Sequence, residues 1–200
     1  MVHMKRKITA LILFIVMVFS GTNICSAESP NDRILSLLNK SKDYTGFEMN
    51  GKVSLLGIST DLKMLQQGWK IKVEYKILWT TYYVLNDGEY SYSWNSSSSK
   101  GKQMKLGDSV TDFLKMDFNT LRDLDVEYKG NETFNEMECN RYGVKIDDIV
   151  WECLISTDYG VLLNADKGLM KIKIEQVKEA VIDECEFCPP EGITFVLENA

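Results

Sequence analysis

The spacing of apolar residues changes from a helical period to a strand period near the start of the chain. Ser29 and Pro30 form a helix start, because serine caps a helix and proline fits its first turn. The apolar stripe of this helix consists of Ile34, Leu35, Leu37 and Leu38. After Gly46, apolar and polar positions alternate, which predicts β-strands. The chain therefore opens with an amphipathic helix that must pack against a sheet.

Consecutive antiparallel strands are predicted from Phe47 to Trp94. The alternation is strictest over Lys70–Ile77, where every even-numbered residue is charged. Asp87-Gly88 between two apolar runs is a strong hairpin signal. Since period-two alternation gives each strand one dry face, two dry faces are expected to line the concave side of a curved sheet. They carry Ile71, Val73, Tyr75 and Ile77, and Tyr90, Tyr92 and Trp94.

The second half of the chain is predicted to begin with a loop at Ser96–Gly101. A helix capped by Asp108 or Ser109 follows, because apolar residues recur there at helical spacing. Its apolar residues are Val110, Phe113, Leu114, Phe118 and Leu121, and the first four form a stripe that is expected to act as a lid. Later strands are predicted at Val126–Lys129, Glu138–Ile146, Ile149–Ser156, Leu162–Asn164, Leu169–Gln176 and Ile193–Leu197. The pattern predicts an α+β fold: a strongly curved antiparallel sheet of about ten strands, with the N-terminal and mid-chain helices covering its concave face.

Residues 1–27 have the three parts of a secretory signal peptide. Residues 5–7 are basic, and residues 8–19 form an apolar run that is too short for a comfortable membrane span. Small residues at Cys25 and Ala27 then define a cleavage site. The leader predicts an exported protein, located in the periplasm, in the cell envelope or outside the cell.

The mature chain is expected to be residues 28–200, folded as a single domain. Two alternatives concern the leader: retention as an anchor helix, or lipidation at Cys25. Lipoprotein signals place a small residue before the cysteine, and Ile24 stands there instead. The expected product therefore begins at Glu28 and carries no acyl group.

Composition excludes several kinds of chemistry for this mature chain. The leader holds three basic residues and no acid, so its removal takes the net charge from −6 to −9. The only histidine, His3, is removed with it, which excludes histidine-based triads and histidine-ligated metals. Nucleic acid is not an expected partner, because a phosphate backbone requires a concentrated basic face. No metal or cofactor is expected, since the sequence has no phosphate loop or dinucleotide fingerprint.

Four cysteines remain after cleavage and are expected to form structural disulfides. Cys139 and Cys153 lie on neighbouring predicted strands and are expected to close the longer bridge. Cys185 and Cys188 form a C-x-x-C followed by two prolines, a context that does not suit a thioredoxin-like redox site. The sequence leaves three connectivities open. A four-cysteine zinc site is an alternative, although only one pair has the usual ligand spacing.

Carboxylates offer the remaining candidate chemistry. Asp123, Asp125 and Glu127 alternate and would form one row on a strand, where calcium could bind. The glycine and the distal glutamate of a calcium loop are missing, so a solvated strand face is the simpler interpretation. A hydrolase that uses carboxylates alone stays open as one functional alternative.

After the first helix, short segments follow one another in a characteristic order along nearly the whole mature chain. They are Gly46-Phe47, Gly51-Lys52-Val53, Gln66-Gln67-Gly68, the run from Tyr82 to Tyr92, Asn135–Cys139, the strand of Trp151, Ser156–Gly160 and Pro190-Glu191-Gly192. This order resembles the LolA/LolB-like superfamily of lipoprotein-sorting and lipid-carrier proteins, which includes the mycobacterial LppX-type carriers. The resemblance implies a half-barrel sheet closed by helices around a hydrophobic cavity for acyl chains.

The leading hypothesis is an exported, monomeric, non-catalytic carrier that binds the acyl chains of a lipid or lipoprotein. The dry strand faces and the lid stripe described above would line its cavity. An ordinary dry core is the alternative for the same residues. A cell-envelope sensor or structural module that binds a protein partner, itself membrane-associated, is the functional alternative within the same fold.

Overall fold

The computed structural model describes residues 28–106, 118–146 and 148–197. The helices are α1 (Pro30–Asn39) and α2 (Phe118–Asp123), with 3-10 turns at Lys40–Asp43 and Glu184–Phe187. The strands are β1 (Phe47–Leu55), β2 (Ile58–Gln67), β3 (Lys70–Ile77), β4 (Thr80–Asn86), β5 (Tyr90–Asn95), β6 (Lys100–Lys105), β7 (Asp125–Phe134), β8 (Met137–Ile146), β9 (Ile149–Ser156), β10 (Leu162–Asp166), β11 (Met170–Glu179) and β12 (Thr194–Leu197).

All described strands belong to one open, curved sheet with α1 on its concave face. Their order is β12-β6-β5-β4-β3-β2-β1-β11-β10-β9-β8-β7. Neighbours are antiparallel except β12, which pairs in parallel with β6. The expected α+β architecture is confirmed, with twelve strands in this sheet.

Strand β6 was not expected from the sequence, and the predicted loop at Ser96–Gly101 overlaps its beginning. Lys100–Lys105 has one large apolar residue, Met104, so it lacks the alternation that marks the other strands. It is a strand because its backbone pairs with β5 on one side and with β12 on the other. Backbone pairing therefore decides an element that side-chain pattern does not reveal.

Helix α1 forms as its cap and stripe predict. The Ser29 hydroxyl accepts a hydrogen bond from the Asp32 backbone N–H at 3.1 Å, and all four stripe residues are buried. The Asn31 side-chain amide donates to the carbonyl oxygens of Leu121 and Leu124 at 3.2 and 2.7 Å. These bonds attach α1 to the chain around α2.

The mid-chain helix was expected to carry the lid stripe. Its described part is α2, in which Leu121 is buried against the main core. Val110, Phe113 and Leu114 lie outside the described residues, as does the side chain of Phe118. The lid therefore stays a prediction.

The main core lies between α1 and the concave face of the sheet. Its largest fully buried side chains are Trp151, Tyr142, Phe47, Ile34, Met49, Met64, Leu121, Ile155, Leu163, Ile172 and Ile174. Most of them belong to α1, β1, β2 and β8 to β11. We call this part of the sheet, β1, β2 and β7 to β11, the covered half.

A second, smaller core is formed by the chain after β11. This C-terminal segment (180–197) lies against the convex face of β2 to β6, where Phe187 packs with Leu65, Leu85 and Tyr92. Ion pairs of Lys70 with Glu184 and of Lys72 with Glu186 attach its 3-10 turn to β3. We call β3 to β6 the open half of the sheet.

Within the described ranges the four cysteines of the mature chain are free thiols, so the expected disulfides are not seen there. In the β8–β9 register, Cys139 lies opposite Ser156 and Cys153 lies opposite Tyr142. The two cysteines are thus three positions apart along the strands, about 10 Å, which is too far for a bridge. Cys185 lies in the 3-10 turn and Cys188 directly follows it, and the Cys188 thiol donates to the Glu184 carbonyl at 3.7 Å.

Candidate functional site

The predicted site residues on β3 lie on the concave face. Val73 lies opposite Met64 of β2, and Met64 belongs to the main core below α1. Ile71 and Tyr75 pack against the same core but stay half-buried, as does Ile77 farther along the strand. The dry face of β3 therefore leads from the closed core toward solvent.

The predicted site residues on β5 lie on the opposite, convex face, so the expectation that both sets share one face is wrong. In the β4–β5 register, Tyr92 pairs with Leu85, whereas Ser93 pairs with Val84 of the concave face. Alternation then places Tyr90 and Trp94 on the convex side with Tyr92. On that side the C-terminal segment covers these aromatic side chains and shields them from solvent.

Phe195 provides much of that cover. Its ring lies edge-on to Tyr92, with centroids 5.1 Å apart, and edge-on to Trp94 at 5.8 Å. Gly101 makes room for Phe195, because a Cβ on that glycine would lie 2.6 Å from the phenyl ring. The β5 aromatics are therefore core residues of the convex face.

The open half has a trough of about 310 Å³ on its concave face. Tyr75 and Tyr82 form one side, stacked with ring centroids 5.5 Å apart and planes inclined by 13°. Val84 lies next to them, and all three side chains are half-buried. The trough is thus an apolar and aromatic surface continuous with the main core.

The far side of the trough is polar and cationic. Ser93 and Asn95 of β5 and Lys100 and Lys102 of β6 lie along it. The register explains this change, since Val84 pairs with Ser93, and Ser93 pairs with Lys102. The concave face therefore changes from apolar to cationic between β4 and β6.

Sequence reasoning missed Tyr82 and Val84 as site residues. Strand β4 is apolar on both faces, with Tyr82, Tyr83, Val84 and Leu85 in succession. No alternation could show which two of them face inward. The cross-strand register with β3 settles the orientation, because Tyr75 pairs with Tyr82 and Val73 pairs with Val84.

Among the described residues, no group of three or more His, Cys, Asp and Glu side chains could hold a metal ion. Burial raises the pKa of Tyr92 to about 12 and that of Cys139 to about 11, and both side chains lie away from the trough. Within the same described ranges, no helix is long and apolar enough to cross a membrane.

No known family profile matches this sequence, and no curated protein sequence matches it. Solved structures do show similar folds. An uncharacterized conserved protein from Thermus thermophilus is 12% identical with a TM-score of 0.58, over 84% of this chain and 98% of that chain.

Two further solved structures are more distant. MucB, in the MucA/MucB complex of Pseudomonas aeruginosa, is 13% identical with a TM-score of 0.48, over 82% of this chain and 63% of that chain. A protein domain from Vibrio parahaemolyticus, described by its role in outer membrane lipoprotein sorting, is 8% identical with a TM-score of 0.41, over 78% and 94%. These identities bear on the fold alone. At that level, the expected α+β architecture with one curved sheet is confirmed.

Proposed function

We propose that this protein is an exported, non-catalytic carrier that binds acyl chains of a lipid or lipoprotein on the open half of its concave face. The observation that carries the proposal is the trough, whose apolar side chains continue the main core but stay half-buried. A folded protein gains by covering such surface. The bound chain would occupy the place that α1 occupies on the covered half.

The energetics of such binding are favourable without specific chemistry. Covering about 200 Å² of apolar surface contributes about 5 kcal/mol. The stacked Tyr75–Tyr82 pair offers flat ring surface to a hydrocarbon chain. An acyl chain that follows β3 from Ile77 as far as the buried Val73 would gain further contacts at the margin of the main core.

The cationic side of the trough suits the other end of such a ligand. Lys100 and Lys102 lie on β6, one strand away from the aromatic side. An amphipathic molecule with an anionic headgroup matches this arrangement, because its chain meets Val84 while its charge meets the lysines. Val110, Phe113, Leu114 and Phe118 remain the proposed lid over the chain.

Uptake of a fluorescent fatty acid by delipidated protein tests the proposal. Val84→Asp places a charge in the trough and should reduce uptake at least tenfold, since a carboxylate is costly to cover with hydrocarbon. Thr81→Asp is the matched control, because it adds the same charge to the same strand on the convex side. Equal uptake by the two variants and the unchanged protein would contradict the proposal.

Mass spectrometry of gently purified protein is the complementary experiment. We expect a retained lipid that is lost on delipidation. If no lipid is retained or taken up while a stable protein partner copurifies, the protein is instead a partner-binding module of the cell envelope. That result would replace the carrier function.

A further inference from the structure

Five large apolar side chains project into solvent from one edge of the sheet. Leu56 and Ile58 belong to the β1–β2 hairpin, Leu78 and Trp79 to the β3–β4 hairpin, and Leu169 to the β10–β11 hairpin. They are between 62% and 91% exposed, with Trp79 the most exposed of all. We call these three turns the apolar tips.

The topology brings the three tips together. The hairpins are consecutive in the sheet, in the order β4-β3, β2-β1 and β11-β10, so their turns point the same way. The Leu56 backbone N–H donates to the Leu169 carbonyl at 2.9 Å, which joins two of the tips directly. Adjacent hairpins are about 10 Å apart, so the tips form a row along the edge.

Two of these residues have a backbone conformation that leucine disfavours. Leu56 has a φ of 51° and Leu78 a φ of 54°, the left-handed region that glycine and asparagine favour. At the opposite edge of the sheet, the corresponding turns use Gly68 and Asn135 at positive φ. Leucine at a tip therefore costs backbone strain and exposes apolar surface, so folding alone does not account for it.

A comparison of two Trp-containing turns makes the same point. The β2–β3 turn is Gly68-Trp69, and its indole N–H donates to Asn39 at 3.3 Å while the ring packs on the main core. The β3–β4 turn is Leu78-Trp79, and its indole ring is 91% exposed. Trp69, at one edge of the sheet, therefore points inward, whereas Trp79, at the other edge, points into solvent.

The charges at the apolar edge identify the surface that it fits. Next to the three apolar tips, the charged residues are Lys76, Asp166, Lys167 and Lys171, of which Asp166 and Lys171 form an ion pair at 2.9 Å. The surroundings of the tips are therefore positive in a chain whose net charge is −6, whereas the neighbouring β8–β9 turn carries Asp148. Protruding leucines with tryptophan and lysine suit a bilayer interface with anionic headgroups, where tryptophan is favoured and each lysine adds attraction. A protein partner would require a continuous, packed patch instead.

We propose that the apolar tips insert into the surface of an anionic lipid bilayer and dock the protein there. This inference goes beyond the carrier function and does not depend on it. Docking would also place the trough near the bilayer, because Tyr75 and Tyr82 are three residue pairs from the β3–β4 turn, about 10 Å. The apolar tips thus define a membrane-facing edge.

Cosedimentation with vesicles of phosphatidylcholine and phosphatidylglycerol tests the proposal, with phosphatidylcholine vesicles alone for comparison. The protein should bind both, and more tightly with phosphatidylglycerol. Two variants are used: the single variant Leu56→Asn and the double variant Leu78→Gly with Trp79→Ser. Each should weaken vesicle binding about tenfold or more, since each lacks a large apolar side chain that would be buried in the lipid. Both variants have residues that suit the turns, so loss of folding would not explain the result.

Val181→Ser is the matched control, because Val181 is 87% exposed but follows β11 at the opposite edge. It should leave vesicle binding unchanged. Tryptophan emission should shift to the blue on vesicle addition, and the Trp79→Ser variant should lose that shift. Absence of vesicle binding, equal binding by the tip variants, or dimerisation that the tip variants abolish without any vesicle binding would each overturn the proposal. Fatty-acid uptake should persist in the tip variants, so a failure of membrane docking can be distinguished from a failure of acyl-chain binding in the trough.

Discussion

The two halves of the sheet bury opposite faces. In the covered half, α1 lies on the concave face, and Trp151 and Tyr142 are fully buried. In the open half, the C-terminal segment lies on the convex face and buries Leu85 and Tyr92. On the concave face of the open half, Tyr75, Tyr82 and Val84 stay half-buried, and the trough lies there. One half of the sheet therefore buries its concave face and the other half its convex face, because the cover changes sides.

Trp151→Ala should have the largest effect on stability. Its side chain is 1% exposed in the main core, so the free energy of unfolding should fall by about 3–5 kcal/mol. Val84→Ala in the trough should cost less than about 1 kcal/mol, because Val84 is half-buried and loses little packing. Urea denaturation of both variants measures the contrast. Similar losses would mean that the two halves are packed alike.

Phe187→Ala tests the cover of the convex face. It removes the most buried side chain of the C-terminal segment, at 3% exposure, and should cost about 3 kcal/mol. The trough lies on the other face, so fatty-acid uptake by the folded variant should be unchanged. If the variant lost uptake without denaturant while circular dichroism showed an intact fold, packing on the convex face would affect binding on the concave face.

The pKa of Tyr92 predicts loss of stability at alkaline pH. Burial, with Asp87 nearby, raises this pKa to about 12, above the usual value of 10.0. The stability contributed by the protonated phenol is complete below pH 10 and is lost as pH rises toward 12, because the unfolded chain releases its proton first. The loss is about 2–3 kcal/mol. Denaturation curves measured at several pH values in this range give the free energy of unfolding as a function of pH. In Tyr92→Phe, that free energy should fall less steeply between pH 10 and pH 12.

Leu56→Asn should have the smallest effect on stability, and the opposite sign. Leu56 precedes Gly57 in a two-residue turn with positive φ at both positions, for which Asn-Gly is the favoured sequence. The variant should gain about 1 kcal/mol, because asparagine tolerates the left-handed conformation better than leucine does. A thermal melt that shows destabilisation would mean that Leu56 makes packing contacts that its exposure does not indicate.

Much of the fold could be predicted because the signals are local. The cap at Ser29 and the stripe of α1 determine a helix, and alternation over β3 determines a strand with one dry face. The site was predicted in part: Ile71, Val73, Tyr75 and Ile77 do lie on the concave face, and their role in ligand binding stays a proposal. Tyr82 and Val84 were missed because β4 is apolar on both faces.

The sequence by itself determined α1, most strands and the hairpin at Asp87-Gly88, since each depends on residues within a few positions of one another. Only the tertiary structure decided which face each apolar row covers, because that depends on where a distant segment packs. The β5 aromatics face outward because the C-terminal segment returns to them, and β6 is a strand because β5 and β12 pair with it. Cys139 and Cys153 stay apart for the same reason, since cross-strand register, and not adjacency of strands, sets their separation.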